Sequence, residues 1–214
     1  MHNQNAYNQW ASSYNQVENI TRDLELLAKK EILKSISFSN VIELGCGTGK
    51  NTHWLLQSAK SITAVDFSEK MLAKAKENIQ NENVHFVQSD INEPWDFVKQ
   101  KADLITCSLV LEHIRHLKPV FKKANEAIIN GGYFYIGELH PFKQYSGSKA
   151  RFQKEDDIVI LDCYTHHLSE YTTLALANGF ELINFNEWFD EVGEKNIPRI
   201  LTLLFKKIEI TGDG

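Results

Sequence analysis

Val41-Ile42-Glu43-Leu44-Gly45-Cys46-Gly47-Thr48-Gly49-Lys50 is the stretch whose reading decides the fold. It runs as a short apolar strand with an acid near its end, three alternate glycines, and then the polar start of a helix. Alternate glycines let the backbone turn sharply and leave no Cβ between it and a bound ligand. A strand-to-helix turn also places that ligand outside the carboxyl end of the strand, beside the positive end of a helix dipole. The dinucleotide fingerprint G-x-G-x-x-G calls for its third glycine where this chain has Lys50. The glycine falls at Gly49 instead, giving E-x-G-x-G-x-G with Glu43 two residues before the first glycine. A tight structural turn in some other α/β protein is the plainer alternative, so the downstream residues must decide.

Ile62 to Val65 reads as a second buried strand ending in Asp66, 21 positions after Gly45. A carboxylate there can accept two hydroxyl hydrogen bonds from a ribose diol. Phe67-Ser68 leads into a helix over Glu69 to Asn78, where Met71 either lines an adenine pocket or packs in the core. Val84 to Gln88 is the third strand, followed by Asp90 and Ile91; alone, Asp90 reads as a turn or cap residue. Pro94 to Lys101 is a short connecting helix, and Ala102 to Ser108 is the fourth strand. In the Leu109 to Ile114 segment that follows, His113 is a candidate base, because histidine is a common general base, against a structural histidine on a pocket floor. Leu117 to Ile129 reads as a helix ended by Gly131-Gly132, and Tyr133 to Glu138 as the fifth strand. Five strand–helix alternations argue for a parallel doubly wound sheet with right-handed crossovers. The last two strands, Glu181 to Trp188 and Ile200 to Phe205, have no helix between them and imply an antiparallel hairpin at the sheet edge.

The Glu43 to Gly49 loop, Asp66, Asp90 and the Ser108 to His113 stretch, in this order and spacing, resemble the motifs of the class I S-adenosylmethionine-dependent methyltransferases. The resemblance is to the small single-domain group that includes quinone-biosynthesis enzymes, and covers roughly Tyr7 to Phe205. It implies a Rossmann-like seven-stranded α/β sheet of order 3-2-1-4-5-7-6, its last strand antiparallel, with helices on both faces. The implied cofactor is S-adenosylmethionine, and the implied reaction is methyl transfer to an O, N or C nucleophile of a small molecule. Carried onto this chain, the cofactor-binding residues are Glu43, Gly45, Cys46 and Gly47 of the loop, Asp66 and Phe67 near the ribose, Met71, Asp90 and Ile91 near the adenine, and Ser108 by the methionine. His113 is the implied catalytic base. Two other classes remain as alternatives: a non-catalytic S-adenosylmethionine-binding protein, and an NAD(P)-binding oxidoreductase. Lys50 and the closing hairpin count against the latter.

The flanking segments carry weaker signals. Residues 1–38 read as a helical lid: Tyr7, Trp10 and Tyr14 fall at helical spacing, and a similar Tyr-x-x-x-Ala-x-x-Tyr stretch covers the cofactor in the resembling family, so that Tyr14 would touch it. An apolar stripe packed on the body is the other reading. Thr21 is expected to cap the next helix, with Arg22 at its start read as a surface arginine or as able to reach a carboxylate. Residues 139–168 break the alternation and read as a substrate-loop insertion, with His140, Tyr145 and Arg151 as substrate candidates beside Lys149. Cations in that loop favour an anionic acceptor group, against a merely solvated surface loop. Asp157 to Tyr164 reads as an added strand, Ser169 as the cap of a helix to Asn178, and Thr211 to Gly214 as a frayed tail. His166 and His167 are adjacent and point apart in most conformations, which makes them poor chelators, and no metal site is expected.

Composition bounds the rest. With 214 residues, 43% hydrophobic and 24% charged, the chain is expected to form a single domain. A net charge of −5 gives no reason to expect nucleic-acid or membrane partners, and no apolar run approaches membrane-spanning length. The first residues lack a signal-peptide pattern, and three widely spaced cysteines read as reduced thiols, so a cytoplasmic location is expected. Neither the acceptor nor the oligomeric state is legible.

Overall fold

The computed structural model describes residues 2–154, 157–190 and 196–208. Its central sheet is built from β1 (Asn40–Leu44), β2 (Ser61–Asp66), β3 (Val84–Gln88), β4 (Ala102–Ser108), β5 (Ile128–Leu139), β8 (Phe180–Trp188) and β9 (Ile200–Lys207), while β6 (Arg151–Lys154) and β7 (Asp157–Ile160) form a separate two-stranded sheet. The central order is β3-β2-β1-β4-β5-β9-β8. Leaving out the small hairpin, that is the 3-2-1-4-5-7-6 order expected. Strands β1 to β5 pair in parallel, and β9 runs antiparallel to both β5 and β8.

Alternation along the strands divides the core into two layers. Ile42, Ile105 and Phe134 face one side with Phe121 of α5 (Lys118–Ala127) and Ala175 of α7 (Leu168–Ala177). Their neighbours Val41, Leu104 and Tyr135 face the other, with Ile32 of α2 (Ile20–Leu33), Leu55 of α3 (Lys50–Leu55) and Leu72 of α4 (Glu69–Asn78). Both faces of β1, β2 and β4 are therefore largely buried, which is why their sequences run apolar rather than alternating, whereas β3 at the sheet edge is more open.

A third, smaller core explains the flanking segments. Helix α1 (His2–Trp10) lies against α4 and the β6–β7 hairpin, with Trp10 stacked on Phe152 at 4.9 Å between ring centroids. The segment read as a lid and the segment read as an insertion thus share one apolar seam and form a roof over the carboxyl ends of the strands.

Local corrections have local causes. Asn19, not Thr21, caps α2, its side chain accepting from the Arg22 amide at 3.0 Å, while the Thr21 hydroxyl meets Arg199. His167, not Ser169, is the cap residue of α7. Gly131-Gly132 do not end a helix: α5 stops at Ala127, and the glycines lie inside β5 beside a register shift that Gly131, at φ +73°, absorbs. No helix forms over Pro94 to Lys101, a short α6 (Pro141–Tyr145) interrupts the insertion, and β7 ends at Ile160 rather than Tyr164. The tail from Thr211 lies outside the described residues. No helix among the described residues is long and apolar enough to cross a membrane.

Candidate active site

The glycine loop between β1 and α3 is tied to β2: the amides of Gly45 and Cys46 donate to the Val65 carbonyl at 2.8 and 2.9 Å. Gly45 has φ +72°, and a side chain there would collide with Val110, so the close approach of the two strand-end loops needs glycine. Asp66, the last residue of β2, accepts from the Gly47 amide with one oxygen and from the Ser68 amide with the other, both at 2.8 Å. Burial lifts its pKa to about 6, against the pull of those backbone donors. Each oxygen keeps a further acceptor position.

These strand ends open onto a cavity of about 590 Å³. Of the residues expected to hold a cofactor, Gly45, Cys46, Gly47, Asp66 and Phe67 line it on one side. Met71, Asp90, Ile91, Ser108 and Tyr14 line it elsewhere. Met71 also packs into the α1 core, and Asp90 also closes its own turn by accepting from the Asn92 amide at 2.9 Å, so both residues have a structural task beside lining the cavity. Burial pushes the Cys46 thiol well above its ordinary range, which suits a small filler better than a nucleophile.

Glu43 is placed differently. Its carboxylate accepts from the Thr52 hydroxyl at 2.6 Å, beneath α3, and it does not line the cavity. Burial raises its pKa to about 7.

Past β4 the chain turns at Leu109, a non-glycine residue with φ +56°. Glu138 at the end of β5 holds this turn, accepting from the amides of Val110 and Leu111 at 2.9 and 2.8 Å. Burial, reinforced by Glu112, raises the Glu138 pKa to about 8. The turn delivers His113 to the cavity. Its Nδ1 is 2.9 Å from the Asp162 carbonyl and 3.3 Å from the Asn3 side-chain amide nitrogen; the shorter contact, to a group that can only accept, is the one that assigns the proton to Nδ1. Nε2 is then free to accept from the Tyr7 hydroxyl at 2.8 Å. Burial keeps Tyr7 well above its usual pKa, hence neutral. The strap after β7 is pinned in turn, with Asn3 of α1 exchanging hydrogen bonds with both the amide and the carbonyl of Asp162, each at 2.9 Å.

At the opposite end, Arg22 stacks on Tyr14 with its guanidinium carbon 4.0 Å from the ring centroid. It donates to the carbonyls of Tyr14 and Val17, and its Nε is buried without a partner.

The candidates from the insertion are not brought to the cavity. His140 caps α6 and meets Glu187 at 2.9 Å, Tyr145 bonds His167 at 2.7 Å, and Arg151 is exposed on β6. The cations that favoured an anionic acceptor therefore do not face the site. Instead the insertion reaches the cavity through Asp162 and Tyr164, which sequence reading passed over together with Asn3, Gln4 and Glu25. For Glu25 a signal was present, since it and Lys29 interrupt the buried face of α2 at positions shared with Ala28 and Ile32.

Comparisons with known proteins bear on the domain and its fold. A family model described as a methyltransferase domain matches residues 42–136. The malonyl-[acyl-carrier protein] O-methyltransferase of Bacillus anthracis is 30% identical over 168 residues, covering 72% of this chain and 62% of that protein. The ubiquinone biosynthesis O-methyltransferase of Coxiella burnetii (strain Dugway 5J108-111) is 29% identical over 158 residues, covering 68% of this chain and 64% of the relative. The chain thus spans somewhat under two thirds of the length of these two relatives. The crystal structure of an S-adenosylmethionine-dependent methyltransferase from Clostridium acetobutylicum ATCC 824 superposes with a TM-score of 0.71 at 17% identity, covering 94% of this chain and 96% of that one, a likeness of fold.

Proposed function

We propose that this chain, a class I S-adenosylmethionine-dependent methyltransferase by its domain and its sheet order, transfers a methyl group to a small-molecule nucleophile bound between the Tyr7–His113 pair and the strand ends. The observation that carries the reading is Asp66, a carboxylate fixed by two backbone amides at the rim of a 590 Å³ cavity.

The residues present fit S-adenosylmethionine. At Gly47 an added Cβ would meet nothing within 4 Å, so the loop leaves open space there. The Ser108 hydroxyl and Arg22 Nε are buried polar groups without partners at the methionine end, positions where a ligand's polar atoms would satisfy them. Asp66 would hold the ribose, Asp90 and Ile91 the adenine, and Arg22 the carboxylate. The cofactor supplies an electrophilic methyl group on a sulfonium, so the protein's own task is chiefly to place the acceptor and exclude water.

Tyr7 and His113 provide a proton route. An acceptor that enters protonated gives its proton to the Tyr7 oxygen as Tyr7 passes its own to His113 Nε2. The imidazolium so formed keeps its Nδ1–H on the Asp162 carbonyl and gains Glu112, whose carboxylate is 3.9 Å from Nε2. His113 is thus the base and Tyr7 the group in contact with the acceptor. Phenols and amines are the acceptor classes to assay, with carboxylates as the already ionised control, by release of S-adenosylhomocysteine. Failure of the protein to bind either S-adenosylmethionine or S-adenosylhomocysteine in calorimetry would overturn the reading.

A further inference from the structure

We propose that Glu25 is the receptor for the ammonium group at the amino-acid end of S-adenosylmethionine, and that it makes the site selective for nucleosides that keep that charge; the proposal rests on the cofactor reading above.

Glu25 is an acid on the buried face of a helix, 1% exposed, yet it lines the cavity. A carboxylate removed from water is costly unless donors meet it. The Tyr135 hydroxyl donates to its Oε1 at 3.1 Å, and the Asn51 side-chain amide approaches Oε2 at 3.4 Å. A carboxylate has about four acceptor positions, so these two contacts leave room for further donors. Lys29, one turn on, offers a counter-charge without consuming them: its Nζ is 3.8 Å from Oε1, fully buried, and makes no hydrogen bond.

The fold makes space for this acid. Glu25 Oε1 would be 2.5 Å from a Cβ at Gly137, the residue of β5 that pairs with Ser108. A strand interior seldom favours glycine, and a close approach by another group is a recognised reason for one. The carboxylate therefore lies over the carboxyl ends of β4 and β5, where Ser108 lines the same cavity.

Arg22 stands three residues earlier on α2 and lines that cavity too, with its unpartnered Nε. One helix thus presents a guanidinium and a carboxylate side by side, the pairing an α-amino acid requires, since its opposite charges share one carbon. Lys29 does not line the cavity, which leaves it as the group that positions Glu25.

Calorimetry with the intact chain separates the possibilities. The probes are S-adenosylhomocysteine, its analogue lacking only the α-amino group, and 5′-methylthioadenosine, which lacks the amino-acid part. The wild-type protein should prefer S-adenosylhomocysteine over the des-amino analogue by about tenfold or more, the scale of a charge-assisted hydrogen bond. Glu25→Gln should abolish that preference and leave 5′-methylthioadenosine binding within about twofold, which also shows that the variant is folded. Glu25→Asp keeps a charge for Lys29 but withdraws it by a methylene, and should lose the preference as well. Equal weakening of all three ligands, an undiminished preference in both variants, or a wild-type preference below about threefold would overturn the proposal. If the wild-type protein binds none of the three, the cofactor reading falls with it; binding of all three alike sinks the Glu25 proposal alone.

Discussion

Replacing Asp66 with Ala tests the cofactor site most directly, and the structure sets the size of the effect. Two amides, from Gly47 and Ser68, lose their acceptor. Ser68 is fully buried, so its amide bears the cost of an unpaired donor, about 1–3 kcal/mol, whereas Gly47 borders the cavity and can turn to water. For a chain of this size that corresponds to a fall in melting temperature of roughly 2–12 °C. Loss of ligand binding should be larger. Two ribose hydroxyls donating to a charged acceptor contribute about 1.5–3 kcal/mol each, so affinity for S-adenosylhomocysteine should drop by about a hundredfold or more. The wild-type affinity should also depend on pH. With its pKa at about 6, Asp66 is ionised above that value and accepts from both hydroxyls; below it the group takes a proton, and binding should weaken toward about tenfold per pH unit. Asp66→Asn should remove this slope, because its amide does not titrate. Calorimetry across pH 5 to 8 and a thermal melt of each variant measure both effects. A lowered melting temperature with affinity unchanged within about threefold would mean that Asp66 only braces the glycine loop, and the ribose assignment would be wrong.

Other expectations follow from single contacts. Tyr7→Phe removes the hydroxyl on His113 Nε2 and should lower kcat by about 10²–10⁴ while leaving S-adenosylhomocysteine affinity within about twofold; undiminished turnover would exclude the relay. Gly45→Ala forces a side chain into φ +72° and against Val110, a cost of at least about 1–3 kcal/mol in strain before the collision, so it should lower the melting temperature and abolish nucleoside binding together. An unchanged melt would show that the two loops can part. Glu43 and Glu138 have pKa values raised to about 7 and about 8, so the stability they contribute is full below about 4.5 and is lost as pH rises through those values. The protein should accordingly melt at a higher temperature at pH 6 than at pH 8.5, and Glu43→Gln should flatten the part of that slope near pH 7; a melt that rises across this range contradicts the burial assigned to these acids.

The sheet was legible because its signals are short-range. Val84 to Gln88 and Ala102 to Ser108 stand in the structure within the bounds read for them; Ala102 to Ser108 is a buried apolar run that needs no partner to be recognised, whereas Val84 to Gln88, expected buried, is a partly exposed edge strand. The closing hairpin was legible for the same reason, from two strands with no helix between them. What misled was chemistry with two outcomes. Gly131-Gly132 can end a helix or absorb a register shift in a strand, and only the pairing of β5 with β4 chooses between them. The insertion misled more seriously: its aromatic and basic residues attracted the substrate assignment, whereas His140 and Tyr145 are occupied with Glu187 and His167.

The proposed acceptor end was beyond reading because it is assembled from three distant segments, each unremarkable alone. Asn3, His113 and Asp162 meet through hydrogen bonds spanning between 49 and 159 residues of sequence, and no local pattern announces such a meeting. Once assembled, they alter the chemistry expected of the acceptor. Among the described residues that line the cavity, Arg22 and Lys50 are the only Lys or Arg; Lys50 is paired with Asp23, and Arg22 donates to the carbonyls of Tyr14 and Val17. The acceptor end offers instead a neutral phenol backed by a histidine whose free nitrogen faces it, with the Glu112 carboxylate close behind. Such a set stabilises a proton leaving the acceptor better than it neutralises a negative charge arriving with one. The arrangement therefore favours a hydroxyl or an ammonium group, which must lose a proton to become methylated, over a preformed anion. Measured against an acceptor panel, turnover confined to groups that are already ionised at neutral pH, and unaffected by Tyr7→Phe, would refute this ordering.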